Sequence, residues 1–392
     1  MNAAINSIRL SLFLIVSAIV LSAAQLRAQC TEILSDLKEP IGSLLTTQGN
    51  LLVAESGDAT AGSGRISIVD PSGNRRTLLD GLPSAPADVG DPSGPTGILM
   101  RGRTLYVLIG TGDVGIMGPR PGTTLENPNG PSSPIFSSIL VVRFSAATEN
   151  RTTGFTMTAA DQEALANGQA VTLSNGGQDT IKIRELVDFP NFIPFPLPDV
   201  PDNIAVSNPY GLALIDDSLY VTDGGRNLAW QVHLETGSFS ELVSFPDIPN
   251  PLFPDLGGPF LQAVPTGIAA VGDQLLVTLL RGAPFPTGTS TVEEIDSENG
   301  SDMEFINDLT SAIGIVPFRN HGAPNYLVLE FSSMGPFFSG PGTVLLYTDP
   351  TGTPATIADC LIAPSSMTWD RRNGTLYVTE VTGSLIAIPF SN

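Results

Sequence analysis

The sequence is poor in the residues that several kinds of chemistry need. It has two histidines in 392 residues, His233 and His321. His233 lies in a strand-like run and His321 in the turn "RNHGAPN", and neither has a visible Ser or Cys partner. A nucleophile–histidine–acid triad is therefore not supported. There are two cysteines, Cys30 and Cys360, and no Cys/His cluster of the kind that holds zinc. Cations are scarce as well: 18 Lys and Arg stand against 39 Asp and Glu, a net charge of −21. Such a surface repels phosphate backbones and anionic membranes, so no nucleic-acid partner is expected. Long apolar runs are absent apart from Leu10–Leu21, which is too short for a comfortable membrane span. Arg9 precedes that run and the small residues of "SAAQLRAQ" follow it. Residues 1–28 thus read as an export signal, cut after Ala28 or Ala24, and the mature chain is expected to be secreted or periplasmic without a membrane span.

The two cysteines agree with export but leave their pairing open. A lipid on Cys30 would need a small residue just before it, and Gln29 stands there. A Cys30–Cys360 disulfide suits an oxidising compartment, although two unpaired thiols remain the simpler reading.

Glycine (40) and proline (33) are plentiful without a collagen period, which favours many turns over long helices. They mark a repeat. "EPIGSLLTTQGNLLVAE" (39–55), "GPTGILMRGRTLYVLI" (94–109), "NPYGLALIDDSLYVTD" (208–223), "VPTGIAAVGDQLLVTL" (264–279), "SAIGIVPFRNHGAPNYLVLE" (311–330) and "APSSMTWDRRNGTLYVTE" (363–380) share one plan. Each has a Pro-x-Gly-like start, an apolar run, a polar turn and a second apolar run. Third and fourth β-type runs follow, such as "RISIVD" with "RTLLDGL" and "AWQVHL" with "FSELVSF". Four strands repeated about every fifty residues predict a β-propeller, because a twisted four-stranded sheet buries both faces only by radial stacking.

The ends predict ring closure. The sixth copy stops after three strands, and "CTEILSDL" (30–37) resembles the fourth-strand run "PATIADCL". The N-terminal strand should complete the last blade. That arrangement tells against a disulfide, since Cys30 starts its strand while Cys360 ends the equivalent strand one blade away. The expectation is an all-β, six-bladed propeller over residues 30–392 as a single domain, with an insertion at 145–205 between blades 2 and 3. Within the insertion, Thr158-x-x-Asp161 is a capping box that starts a short helix. "DTIKIRELVDF" (179–189) should return as the fourth strand of blade 2, and the proline-rich 190–203 should be a strandless loop.

"GPTGILMRGRTLYVLIG", "SNPYGLAL…LYVTDGGRN", "VPTGIA…GAPFPTGTSTV" and "LIAPSSM…GTLYVTE" resemble the ScyD/ScyE-type propeller proteins, a family named after proteins encoded with biosynthetic genes of a cyanobacterial sunscreen pigment. The blades also resemble NHL-type repeats more generally. The resemblance covers nearly the whole mature chain and implies a TolB-like six-bladed fold. It brings no activity and no catalytic residues.

Most copies end on a carboxylate. The equivalent positions are Glu55, Ile109, Asp223, Leu279, Glu330 and Glu380. Repeat geometry sets these ends at one mouth of the central channel. In one reading each acid accepts backbone N–H bonds from its own Gly-rich loop, as in Asp223-Gly224-Gly225 and Glu55-Ser56-Gly57. In the other, Glu55, Asp223, Glu330 and Glu380, with Glu39 as a further ligand, converge on a hard cation such as Ca²⁺, and Ile109 and Leu279 form an apolar side of the pocket. A cation would allow a lactonase-type hydrolase. "GTGDVG" (110–115) mimics a phosphate loop, but no helix follows it. Phe192, Phe195, Phe253, Phe260, Phe285, Phe337 and Phe338 lie in Pro/Gly-rich loops, either sealing loops onto the ring or forming an apolar surface. The leading expectation is a monomeric binding protein that takes a small molecule or an extracytoplasmic protein on its channel face. The alternative is the cation-dependent hydrolase.

Overall fold

The computed structural model describes residues 29–391. Residues 1–28, expected as an export signal, lie outside them. Six blades form a closed ring. Blade 1 runs Pro40–Leu45, Leu51–Glu55, Gly64–Val69 and Arg75–Leu82, each strand antiparallel to the next. Blades 3, 4 and 5 repeat this plan from Pro209, Pro265 and Ala312. Blade 2 uses Pro95–Arg101, Thr104–Ile109, Ser138–Arg143 and, after the insertion, Thr180–Asp188. Blade 6 uses Pro364–Asp370, Thr375–Glu380 and Ser384–Pro389, and its outer strand is the N-terminal Thr31–Leu34. The register is Thr31↔Ala387, Glu32↔Ile386 and Leu34↔Leu385, and Ser384 Oγ donates to Glu32 Oε2 at 2.8 Å. The predicted clasp is therefore present.

The core is divided between the blades, as radial stacking demands. Six apolar clusters occupy the six blade interfaces. One contains Leu52, Ile66, Leu105 and Val107 between blades 1 and 2. Another contains Leu327, Leu329, Leu376 and Val378 between blades 5 and 6. Each blade offers both faces to a neighbour, so the second strands are largely buried; Leu51–Glu55 is buried at every position. The smallest cluster, around Val53, Val69 and Leu385, lies at the seam between blades 6 and 1. A cavity of about 400 Å³ adjoins it, lined by Ile33, Leu51 and Tyr377 among others. Four residues make a short outer strand, and the seam is correspondingly thin.

Two expectations are corrected. Cys30 and Cys360 form a disulfide, with Cα atoms 6.2 Å apart. Equating positions along the outer strands of neighbouring blades was misleading. The strand of Cys360 is bulged twice against its partner, and Cys30 lies just beyond a strand that is itself bulged. Cys30 packs into the interface between blades 5 and 6, so the bond joins the N-terminal strand of blade 6 to the outer strand of blade 5. Secondly, the proline-rich 190–203 is not strandless: Phe192–Pro194 pairs with Ile204–Val206, and a bridge joins Leu197 to Val200. Pro194 ends the ladder opposite Ile204, and the other prolines lie outside it, which leaves the few N–H groups the hairpin needs.

The capping box is formed at Ala159–Ala166, with Thr158 and Asp161 bonded reciprocally. Phe155–Thr156 adds a parallel edge to blade 1 and Val171–Ser174 a fifth strand to blade 2. Glu149, on the helix Ala146–Arg151, accepts from Thr46 Oγ1 (2.6 Å) and Asn50 Nδ2 (2.9 Å) and pairs with Arg103 (2.7 Å). Thr180–Asp188 splits the insertion. Residues 145–179 lie on the side of the ring away from the acids, and 189–208 on the acid side.

Candidate functional site

Pro-x-Gly is the device that builds the channel. Its wall is made of the first strands, including Gly42, Gly97, Gly211, Gly267 and Gly314, with Ser366 in the sixth place. A Cβ on Gly211 would lie 2.5 Å from the Thr266 carbonyl oxygen, and one on Gly267 2.6 Å from that of Ile313. Gly42 and Gly97 abut Thr96 O and Tyr210 O in the same way. Each of these four glycines thus lets the next blade's backbone approach. Three hydroxyls then tie alternate blades to their successors: Thr96 Oγ1 to Pro209 O (2.8 Å), Thr266 Oγ1 to Ala312 O (3.2 Å) and Ser365 Oγ to Pro40 O (2.5 Å).

The other three blades have Ile41, Tyr210 and Ile313 at that position, and all three line the channel. The Tyr210 hydroxyl donates to Ser365 O at 3.2 Å. Burial pushes that hydroxyl above the ordinary tyrosine range. The channel space is about 140 Å³, well below the roughly 300–1,000 Å³ of a small-molecule site. Tyr210 acts as a stopper that sequence reasoning missed, because one tyrosine among six variable positions looked unremarkable.

The acids do stand at the channel's mouth side, each opposite the residue that starts its blade: Pro40↔Glu55, Pro209↔Asp223, Ala312↔Glu330 and Pro364↔Glu380. Each is buried and engaged. Glu55 accepts from Lys38 N (2.8 Å) and pairs with Arg65 (2.9 Å) and Arg75 (2.7 Å). Asp223 accepts from Asn208 N (2.7 Å), Arg226 N (3.2 Å) and Trp230 Nε1 (3.1 Å). Glu330 accepts from Thr310 N (2.7 Å) and Thr343 Oγ1 (2.6 Å), and Glu380 from Ile362 N (2.7 Å).

The reason is backbone geometry. The residue before the blade start takes a left-handed φ at Glu39 (47°), Ser311 (54°) and Ala363 (46°). This is an unfavourable region for non-glycine residues, and doubly so for one that precedes proline. The carboxylate clamps the N–H one residue earlier and holds the strained turn. Val264 has φ 51° opposite Leu279, and there Asn227 Oδ1 receives its N–H at 2.9 Å. Burial raises the pKa of Asp223, Glu330 and Glu380 despite these bonds. Glu39 is pushed up to about 7, by burial first and then by Asp91.

The structure thus gives Glu55, Asp223, Glu330 and Glu380 each a partner within its own corner of the ring. Among the described residues no group of three or more His, Cys, Asp or Glu side chains is placed to hold a metal ion. Ile109 and Leu279 do not line a pocket at the mouth; both are buried in interface clusters.

The predicted phenylalanines divide. Phe285 stacks on Phe338 (4.0 Å), and Phe338 packs on Phe331 (4.6 Å), sealing loops. Phe195, Phe253, Phe260 and Phe337 are 49–61% exposed. Met117, Met334 and Ile362 are exposed as well. All seven belong to connections on the acid side, where the short hairpins of Gly115–Met117, Phe192–Pro194 and Ile248–Pro249 also lie. An apolar crown surrounds a stoppered channel.

No family model matches the chain, and no curated protein is similar to it. Its likenesses are to solved propeller structures. One is a gluconolactonase from Xanthomonas campestris, at 12% identity over 92% of this chain and 89% of that one, with a TM-score of 0.50. Another is a catalytically inactive virginiamycin B lyase from Staphylococcus aureus with quinupristin, at 14% identity over 93% and 99%, with a TM-score of 0.46. At such identities the likeness speaks to the fold alone. No helix among the described residues is long and apolar enough to cross a membrane.

Proposed function

We propose that this chain is an exported, ScyD/ScyE-like propeller that works as a binding module, taking an extracytoplasmic protein partner on the loops of its acid side. The observation that carries this reading is the exposure of Phe195, Phe253, Phe260 and Phe337 on that one side. Exposed aromatics on rigidly supported loops are the usual material of interaction sites. The 140 Å³ channel is too small for an ordinary ligand. The four carboxylates that a cation-dependent hydrolase would need are each committed to a turn. The Cys30–Cys360 bond agrees with an oxidising compartment.

Two measurements test the reading together. Purified protein is assayed for bound metal and for hydrolysis of a lactone and ester panel, with Ca²⁺ and with chelator. No stoichiometric metal and no turnover are expected. Lactone hydrolysis that disappears in a Glu330→Gln, Glu380→Gln variant would establish the hydrolase instead. In parallel, envelope proteins retained by the immobilised chain are compared with those retained by a Phe253→Ser, Phe260→Ser, Phe337→Ser variant. The partner should be lost from the variant, and identical retention would refute the crown.

A further inference from the structure

A cavity of about 440 Å³ opens on the face opposite the acids, at the turns of blades 5 and 6. Arg319, Arg371 and Arg372 line it, together with Trp369 and Phe390. Trp369, Phe390 and the buried Phe318 form an edge-to-face aromatic cluster with centroids 4.8–6.0 Å apart. Arg371 lies over the Trp369 ring at 4.8 Å. The chain has only 18 Lys and Arg, and three meet here. Among the described residues none of the three pairs with a carboxylate, whereas Arg65, Arg75, Arg101, Arg103, Arg120 and Arg151 all do. The nearby Asp370 makes no ion pair with them. It is buried and turned into its own loop, where it accepts from Arg372 N, Asn373 N and Asn373 Nδ2. The indole Nε1 of Trp369 is buried without a hydrogen-bond partner, a rare condition for a donor that polar contact would relieve.

We propose that this cavity binds a small organic acid, a carboxylate carried on a flat ring. Guanidinium forks match the planar carboxylate, Phe390 and Trp369 offer apolar ring contact, and the volume suits one small molecule. The strongly acidic surroundings repel anions in general, so only one that engages the guanidiniums directly gains by entering. The sequence carried the signal in two neighbouring turns of like composition, "FRNHG" and "WDRRNG".

Calorimetric titration tests this with three probes: benzoate, benzyl alcohol and inorganic phosphate. Benzoate should bind the full mature chain, benzyl alcohol should not, and phosphate should bind at least tenfold more weakly. Arg371→Gln with Arg372→Gln should weaken benzoate at least tenfold. The same loss is expected from Arg319→Gln with Arg371→Gln, which guards against a local effect of one pair. Both variants alter exposed side chains and should melt with the parent. The proposal fails if benzoate does not bind at about 5 mM, the weak end of a specific site. It also fails if the alcohol or phosphate binds as well as benzoate, or if folded arginine variants bind it unchanged.

Discussion

The Tyr210 hydroxyl donates to the Ser365 carbonyl at 3.2 Å, from blade 3 to blade 6 across the channel. It links opposite sides of a ring in which other contacts run between neighbours. Tyr210→Phe should keep the stopper and lose one net hydrogen bond, about 1 kcal/mol. Tyr210→Ala, which also empties the channel, should cost about 3 kcal/mol. Chemical denaturation gives both values. Burial holds the hydroxyl protonated, so ultraviolet titration of the parent and Tyr210→Phe should superimpose up to about pH 11. A phenolate missing from the variant below that pH would contradict the buried stopper.

The ring glycines make a contrast available within one motif. Gly211 and Gly267 face carbonyl oxygens of the next blade, whereas the nearest atom to a Cβ on Gly314 is Leu329 Cβ at 3.7 Å. Gly211→Ala and Gly267→Ala should each cost at least about 1–3 kcal/mol by forcing blades apart. Gly314→Ala should cost a few tenths at most. Equal effects at all three positions would mean that the blades are not in register as described.

Stability should fall as pH rises from about 5 to about 8. Glu39 and Glu185 have folded pKa values pushed up to about 7 and about 8 by burial, with Asp91 and Asp188 adding repulsion. In the unfolded chain both ionise near 4.5. Between those values the folded chain holds more protons, so deprotonation favours unfolding. Buried Oε1 of Glu185 has no partner to stabilise its charge. Melting temperatures should be lower at pH 8.5 than at pH 5.5, and Glu185→Gln should flatten the profile. A Tm that climbs over this range would reverse the assignment.

The disulfide closes a span of 330 residues. Removing it with Cys30→Ser and Cys360→Ser should cost about 2–4 kcal/mol. The strand it anchors also lines the thin seam between blades 6 and 1, where Ile33 and Leu34 pack. Thermal melts of parent and variant, with and without reductant, check this. A thiol assay on the denatured parent should find no thiol, and a parent melt insensitive to reductant at full reduction would remove the stabilising role.

Most of the fold was legible because a propeller repeats its local chemistry. Proline and glycine each recur at five of the six blade starts and a terminal acid at four of the six second strands, and strand order follows from chain order. The outer strand of blade 6 could be assigned since 30–37 resembles 354–361. What stayed hidden depends on neighbours across blades. The pairing of Cys30 with Cys360 turns on bulges in two different sheets. The acids' roles turn on the left-handed residues at 39, 311 and 363, and nothing in Glu, Ser or Ala announces that conformation. Tyr210 gains its role only from what lies opposite it.

Glu32 and Ser384 meet across 352 residues of chain. A ribosome releases the first of them long before the second. Five sheets can assemble while Thr31–Leu34 waits, because the strand it pairs with is the last to be made. Until then Ser384–Pro389 has a naked edge and the ring stays a flexible arc. A chain made in that order stays open until its last strand is complete, and locks only then.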